Sequence, residues 1–319
     1  MKRRVIFFLL FCLFLAGCKQ SINQSRDALP TSTGSIKITG AYALFPLTLV
    51  WVKEFHKTHP NILIRVEANG SGGGMEDVLN DKTNLAMMSN DIPASLEAQL
   101  FITPVARLGV VVIVNKKNPY LEKILKQGIT RDNLMALFAN KNPKTWGELF
   151  ETERKDPVKV YDRADSSGAK KILARYLWMQ PGAIQGMAVY GEDKMVEAVK
   201  KDPLALGYCN FSATFDLKTK AFYTDFCILP LDINQNGTMD PKESYYDQVD
   251  HLQRAMWLGK YPCPLCRDLF YVSKGKPTTP EVIEYLKWVL TEGQKNVSSE
   301  GYVELHSSDI ETGLKAISE

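Results

Sequence analysis

Apolar and polar residues follow patterns that change regularly between strand and helix along this chain. From residue 35, the segments "SIKITG", "NILIRVEA" and "NLAMMS" have the short apolar runs of strands. Between them lie "FPLTLVWVKEFHKTHP", whose apolar residues recur at helical spacing, and the short helical pattern "MEDVLNDK". Strands that alternate with helices form βαβ units, so this part of the chain predicts an α/β fold with a mainly parallel sheet.

The same alternation continues after residue 100. The run "RLGVVVIVN" predicts a strand that is buried on both faces, and "VKVYD" predicts a strand that leads into a helix. The segments "ALGYCNF" and "AFYTDFCILPL" predict two strands that are close in sequence. Near the end, "RDLFYVS" predicts another buried strand, and an amphipathic helix follows it.

The N-terminus has the anatomy of an export signal. A basic start and one short apolar run lead to "LAGC", which resembles the bacterial lipobox. We therefore predict a lipoprotein signal peptide at residues 1–17, lipid attachment at Cys18 and a polar, flexible tether at residues 18–34. An ordinary signal peptide is the alternative. Either way, we expect the protein in the cell envelope, facing the periplasm or the exterior.

The charge balance excludes one class of partner. The chain has 39 basic and 36 acidic side chains, and removal of Lys2, Arg3 and Arg4 with the signal peptide leaves 36 of each. A neutral mature chain does not favour nucleic acid as a partner. The remaining length favours two lobes, since domains typically contain about 100 to 200 residues.

Four cysteines follow Cys18, an even number that is typical of disulfides in an exported protein. Cys209 and Cys227 lie on the two predicted strands that are close in sequence, which would allow a bridge between them. Cys263 and Cys266 have the spacing of a short-loop disulfide or of a thiol redox motif. Thiol-disulfide oxidoreduction at these two residues is therefore a second functional hypothesis, of a different class from ligand binding.

Three predicted strand-to-helix junctions are built from small residues: "TGAYALFP" (39–46), "NGSGGGM" (69–75) and "RADSSGA" (163–169). The start of a helix offers backbone N–H groups without intrahelical partners and the positive end of a dipole. Glycine and serine also let a ligand approach the backbone closely. A single junction of this kind could be an ordinary helix cap, but three of them predict a shared site for an anion.

The third junction adds a fixed positive charge. Arg163 provides a guanidinium fork that matches an oxyanion at two points. Asp165 would either hold Arg163 in position or accept a proton from a protonated oxyanion. The alternative is that the two residues form a surface ion pair of little energetic value.

These segments, in this order, resemble the substrate-binding protein of bacterial phosphate ABC importers, a type II periplasmic binding protein. The resemblance is carried by "GSGGG" (70–74), "SND" (89–91) and "RADSSG" (163–168), and it extends from about residue 35 to the last helix. It implies two lobes with a cleft and a hinge between them. The first lobe would comprise residues 35–114 and 263–319, and the second residues 115–262.

The resemblance also implies the ligand contacts and the function. The implied contacts are the backbone of Ala43 and Leu44, then Ser71, Asn90 or Asp91, Arg163, Asp165, Ser167, Gly168 and Ala169. The implied protein is no enzyme and requires no cofactor. It would be a monomeric, lipid-anchored solute-binding protein that captures phosphate and presents it to the permease of an ABC importer.

Two departures from the family pattern concern the ligand. Ala43 and Ala169 stand where the family usually has threonine, which removes two hydroxyl donors, each worth about 0.5 to 1.5 kcal/mol. Another tetrahedral oxyanion would therefore also fit. We prefer Asp91 over Asn90 as the acceptor opposite Arg163, because a carboxylate there would distinguish hydrogen phosphate from sulfate.

A second loop, "DINQNGTMDPKE" (232–243), has the spacing of an EF-hand calcium loop, with Gly237 at its sixth position. Its oxygen ligands would come from Asp232, Asn234, Asn236, Thr238 through its carbonyl, Asp240 and Glu243. The sequence therefore predicts a Ca²⁺ site that stiffens the second lobe. The alternative is a polar turn without a metal.

Overall fold

The computed structural model describes residues 34–89, 91–141, 144–165 and 167–319. Its strands are β1 (Gly34–Gly40), β2 (Ile62–Ala68), β3 (Leu85–Met88), β4 (Leu100–Asn115), β5 (Lys159–Arg163), β6 (Met187–Val189), β7 (Ala205–Asn210), β8 (Phe226–Ile228) and β9 (Cys266–Lys274). Its α-helices are α1 (Phe45–Thr58), α2 (Gly70–Leu79), α3 (Ala94–Glu97), α4 (Leu121–Gln127), α5 (Arg131–Phe138), α6 (Trp146–Leu149), α7 (Gly168–Tyr176), α8 (Glu192–Lys201), α9 (Val249–Trp257), α10 (Pro280–Leu290) and α11 (Ser307–Ser318). Within these ranges, no helix has the length and apolar character needed to cross a membrane.

The first three strands form the βαβ units that the sequence predicts. β1 pairs in parallel with β2 and with β3, and α1 and α2 make the connections between these strands. The apolar face of α1 buries Leu47, Trp51 and Phe55, which are four residues apart and so lie on one side of the helix. Pro46 in the first turn and Pro60 beyond the last turn match the observed bounds of α1.

Two long antiparallel strands join the halves of the sheet. β4 pairs with β9 over residues 100–109 and then with β7 over residues 110–114. On the far side, β5 pairs in parallel with β6 and β7. The order is β2-β1-β3-β9-β4-β7-β5-β6, with β8 beside β4. The predicted α/β class and its parallel units are confirmed, and the antiparallel pairs at the centre are an addition to the prediction.

The buried apolar side chains fall mainly into two clusters. The first core comes from residues 36–108 and 269–317, and the second core comes from residues 110–265 together with Val303. β4 therefore passes from the first core to the second between Leu108 and Val110. Since both faces of β4 are covered from Val110 to Val114, this segment is an uninterrupted apolar run rather than an alternating one.

The bridge between Cys209 and Cys227 that the sequence would allow is contradicted by the strand order. Cys209 in β7 lies opposite Val111, and Cys227 in β8 lies opposite Val114, but β7 and β8 occupy opposite edges of β4. Strands are about 4.8 Å apart, so the two cysteines are separated by roughly 10 Å across the sheet. A disulfide spans at most about 7 Å between Cα atoms. Both cysteines, like Cys263 and Cys266, are free thiols.

Candidate functional site

One cavity of about 610 Å³ brings together the small-residue junctions predicted from the sequence. Ala43 borders it from the turn after β1, Ser71 from the start of α2, and Arg163 from the end of β5. Ser167, Gly168 and Ala169 border it from the start of α7. Arg163 and the glycine run at residues 70–74 are thus neighbours in space although they are about 90 residues apart in sequence.

Arg163 is held by a two-point ion pair at the edge of this cavity. Its Nε donates to Asp165 Oδ1 at 2.7 Å and its Nη2 donates to Asp165 Oδ2 at 2.5 Å. The Arg163 side chain is only 10% exposed, so this is not the surface pair considered as an alternative. The hydrogen bonds from Arg163 lower the pKa of Asp165 to about 2. Asp165 therefore stays ionised and positions Arg163.

A buried polar network fixes the end of β5 beneath the site. The Tyr208 hydroxyl donates to Asp162 Oδ1 at 2.7 Å and accepts from the Arg163 backbone N–H at 3.1 Å. Lys170 Nζ, from the first turn of α7, donates to Asp162 Oδ2 at 2.6 Å. These bonds tie the strand to the helix that follows it, so the turn that carries Arg163 and Asp165 has a defined position.

The start of α7 presents backbone donors to the cavity. Ser167 is the N-cap, and its Oγ accepts from the Lys170 N–H at 3.4 Å. The N–H groups of Gly168 and Ala169 come next, where a helix leaves its first donors unsatisfied. The Ala169 methyl group is packed in the second core, with 2% of the residue exposed. Ala169 nevertheless borders the cavity.

The glycine run is the first turn of α2 and not a loop before it. The sequence predicts the helix from Met75, whereas α2 begins at Gly70. Gly74 packs directly on β1, because a Cβ there would lie 2.7 Å from the Gly40 Cα. Ser71 is buried, and its Oγ accepts from the Ser89 N–H at 3.2 Å and contacts Ser89 Oγ at 3.3 Å. Ser89, at the end of β3, also borders the cavity and was missed by the sequence analysis.

Two predicted contacts are corrected by the structure. Leu44 is fully buried, and its N–H donates to the Ala41 carbonyl at 3.2 Å within the tight turn after β1. That N–H is therefore not free for a ligand. Asp91 has a 98% exposed side chain that lies 4.0 Å from Arg175, and it does not border the cavity beside Arg163. The alternative acceptor, Asn90, lies outside the described residues.

Arg267 is a cavity residue that the sequence analysis did not select. It is the second residue of β9, it is 6% exposed, and its Nη2 donates to Asn210 Oδ1 at 3.1 Å. Burial lowers the pKa of Arg267 to about 10, so the guanidinium remains charged at neutral pH. One feature of the sequence could have identified Arg267: it is a charged residue at the start of "RDLFYVS", a segment that predicts a buried strand. Glu192 also borders the cavity, and its Oε1 accepts from the Asn210 N–H at 2.6 Å.

The predicted calcium site is not supported. In the part of the chain that the structure describes, no three His, Cys, Asp or Glu side chains are grouped so that they could hold a metal. The carboxylates of loop 232–243 bind the loop's own backbone: Asp232 Oδ2 accepts from the Gly237 N–H at 2.8 Å, and Glu243 Oε1 accepts from the Ile233 N–H at 2.9 Å. The Asn234 side chain donates to Asp240 Oδ2 at 2.7 Å, and the Thr238 N–H donates to Asn236 Oδ1. The loop is thus closed by internal hydrogen bonds.

Comparison with known proteins gives the family. The model described as "PBP superfamily domain" matches residues 26–292, which is most of the chain. The protein belongs to the PBP superfamily. The resemblance found in the sequence is confirmed at this level, together with the type II periplasmic binding protein fold.

The relatives of this superfamily member include proteins named for phosphate. It is 26% identical to the phosphate-binding protein PstS of Methanocaldococcus jannaschii, over 95% of this chain and 91% of that protein. It is 25% identical to the PstS of Pseudomonas aeruginosa, over 99% of this chain and 98% of that protein. A Clostridium perfringens substrate-binding protein solved with bound phosphate has the same fold, with a TM-score of 0.64 and 19% identity, over 85% of this chain and 100% of the other.

Proposed function

We propose that this protein binds phosphate outside the cytoplasm and delivers it to the permease of an ABC importer. The observation that carries the proposal is the shared cavity of Arg163 and the α2 glycine run. A guanidinium and the starts of two helices around one cavity form a site for a small oxyanion, because all of them are donors with positive charge or partial charge.

Arg163 is the main determinant of affinity in this proposal. Asp165 occupies Nε and Nη2, and Nη1 has no protein acceptor among the residues described. A ligand oxygen at Nη1 would gain a charge-assisted hydrogen bond of about 1.5 to 3 kcal/mol. Because Asp165 holds the guanidinium in place beforehand, little side-chain entropy is lost when the ligand binds.

Binding would be coupled to movement of two lobes. The residues from α2 belong to the part of the chain that builds the first core, while Arg163 and α7 belong to the part that builds the second core. A ligand that contacts both sets favours the arrangement in which the lobes are closed upon it. β4 and β9 connect the two parts, so we place the hinge in these strands.

The envelope location follows from the N-terminal sequence. Residues 1–17 would be removed as a signal peptide, lipid on Cys18 would anchor the protein, and residues 18–34 would act as a tether. Residues 1–33 lie outside the described ranges, and Gly34 is the first residue of β1. We further propose that the protein acts as a monomer without a cofactor and catalyses no reaction.

The alternative of another class, thiol-disulfide oxidoreduction at Cys263 and Cys266, is not favoured. Cys263 begins a single 3-10 turn and Cys266 begins β9, so no α-helix starts at this motif to lower the pKa of a thiol and make it reactive. Within the binding class, a different tetrahedral oxyanion fits the loss of the two threonine hydroxyls at Ala43 and Ala169. Only a comparison of anions separates it from phosphate.

Titration calorimetry of the mature chain with phosphate, arsenate, sulfate and molybdate tests the proposal. We expect phosphate and arsenate, which have the same shape and charge, to bind with similar affinity and more tightly than the other two. Tighter binding of sulfate or molybdate would replace phosphate with that oxyanion as the cargo. Absence of heat with all four anions would overturn the proposal.

A further inference from the structure

Arg267 is a buried cation with unused hydrogen-bond donors. It is 6% exposed and borders the same cavity as Arg163. Its Nη2 donates to Asn210 Oδ1 at 3.1 Å. Within the described ranges, its Nε and Nη1 are buried and donate to no acceptor. A buried donor without a partner is destabilising, and more so when the group is charged, so an acceptor brought by a ligand would be favoured.

Among the described residues, no carboxylate forms an ion pair with Arg267, whose side chain donates to Asn210. The groups that face it include Glu192 at the start of α8, Tyr302, Arg163 and Arg175. The Glu192 carboxylate attracts Arg267 electrostatically, but its Oε1 accepts from the Asn210 N–H, and burial keeps the Tyr302 hydroxyl neutral by raising its pKa. The two arginines repel Arg267, and Asp165 binds Arg163 and the Gly191 N–H rather than Arg267. The two carboxylates that border the cavity, Asp165 and Glu192, thus leave the Arg267 guanidinium without a direct anionic partner, and a ligand anion would fill that place.

Arg267 lies against the start of α7. A Cβ built on Gly168 would lie 1.9 Å from Arg267 Nη1, so the guanidinium packs directly against the first residue of the helix. Only glycine allows this approach, since a side chain at residue 168 would occupy the space of Nη1. Arg267 Nη1 is thus a neighbour of the first residue of α7, and both residues border the cavity.

We infer that Arg267 is a second anion-binding residue, which holds the oxyanion at the start of α7 from the side of β9 while Arg163 holds it from the end of β5. The inference rests on the proposed function and adds to it a contact that the family pattern does not supply. Because β9 leads into the first core and α7 packs in the second, this contact also joins the two parts of the chain that close on the ligand.

Titration calorimetry with phosphate tests the inference in three variants. We expect Arg267→Gln to weaken binding by about ten- to hundredfold, which corresponds to the loss of a hydrogen bond to a charged group. Arg267→Lys should fall between this variant and the wild type, because it keeps the charge but loses the fork. The matched control is Arg107→Gln, on the neighbouring strand β4, whose Nη2 donates to the Glu304 carbonyl. It should bind like the wild type.

The outcomes separate this inference from the proposed function. If Arg267→Gln binds phosphate within about twofold of the wild type, the inference is overturned and phosphate binding stands. If the wild-type protein binds no phosphate, the proposed function itself fails. Should Arg267→Gln not fold, a crystal structure of the wild-type protein with phosphate decides. A phosphate oxygen within about 3.2 Å of Arg267 Nε or Nη1 supports the inference, and a phosphate beyond hydrogen-bonding distance of both contradicts it.

Discussion

Asp165 binds the guanidinium of Arg163 at two points, with Nε to Oδ1 at 2.7 Å and Nη2 to Oδ2 at 2.5 Å. The carboxylate thereby fixes the direction of the charge on which the proposed site depends. Asp165 also accepts from the Gly191 N–H at 3.3 Å, so the pair is anchored to the start of α8. Asp165 acts on the ligand through Arg163.

The substitution Asp165→Asn tests this positioning role. An amide cannot accept from both nitrogens of Arg163, so the guanidinium would be released, and we expect the affinity for phosphate to fall by about tenfold. Calorimetry measures the change. Glu197→Gln, on the exposed face of α8 where it pairs with Lys194 and Lys201, is the control and should leave affinity unchanged. Equal affinity of Asp165→Asn and the wild type would count against the positioning role.

The Asp165 carboxyl also predicts a pH dependence. Its pKa is lowered to about 2 by Arg163, below the ordinary value of about 3.9 in an unfolded chain. The pair therefore contributes its full stabilisation above about pH 4, and this contribution is lost as the pH falls towards 2. Carboxyl NMR should give a midpoint near 2 for Asp165. A midpoint near 4 would show that the ion pair is not formed in solution.

Two glycines of α2 should respond oppositely to alanine. In Gly74→Ala the new methyl group would lie 2.7 Å from the Gly40 Cα, so we expect the free energy of unfolding to fall by about 1 to 3 kcal/mol. Gly72→Ala meets no atom within 4 Å, and it should raise the free energy by about 0.5 to 1 kcal/mol because alanine favours the helix. Urea unfolding measures both. Similar stability of the two variants would mean that α2 does not pack on β1 at Gly74.

The network below Arg163 should contribute to stability. Tyr208→Phe removes the hydroxyl that donates to Asp162 and accepts from the Arg163 N–H, which leaves two buried groups without this partner. We expect the free energy of unfolding to fall by about 1 to 3 kcal/mol. Tyr190, which is 71% exposed, provides the control, and Tyr190→Phe should change stability by less than about 0.5 kcal/mol. Equal unfolding curves for the two variants would contradict the described network.

The positions of the cysteines predict the result of peptide mapping. Because β4 separates Cys209 from Cys227, we expect no disulfide between them in protein purified without reductant. Alkylation of the unfolded, unreduced protein, followed by mass spectrometry, should find both residues modified. A crosslinked peptide pair would contradict the placement of β7 and β8 at opposite edges of β4.

Local patterns predicted most of the elements but not their pairing. The helical spacing of Leu47, Trp51 and Phe55 predicted α1, and the alternation of strands and helices predicted the βαβ units. The start of α2 was predicted five residues late, because glycine has a low intrinsic helix propensity that packing against β1 overrides. The antiparallel pairing of β4 with β7, β8 and β9 depends on contacts between distant segments, which no local pattern contains.

The residues of the candidate site were likewise predicted only in part. The small-residue junctions and Arg163 were predicted because donors at helix starts and a fixed charge have a recognisable chemistry. Arg267 was missed because its role depends on the close approach to Gly168, which is about 100 residues away in sequence. Asp91 was preferred on chemical grounds, but the course of the chain after β3 leaves its side chain 98% exposed. The spatial relation of side chains across the cavity required the structure.

Phosphate titration of Arg163→Gln beside Lys159→Gln tests the central claim most directly. Lys159 lies on the same strand as Arg163, but it is 45% exposed and pairs with Asp202. If the cavity between the glycine run and β5 holds the anion, Lys159→Gln binds phosphate like the wild type and Arg163→Gln loses at least about a hundredfold in affinity. Equal affinity of Arg163→Gln and the wild-type protein would contradict the claim.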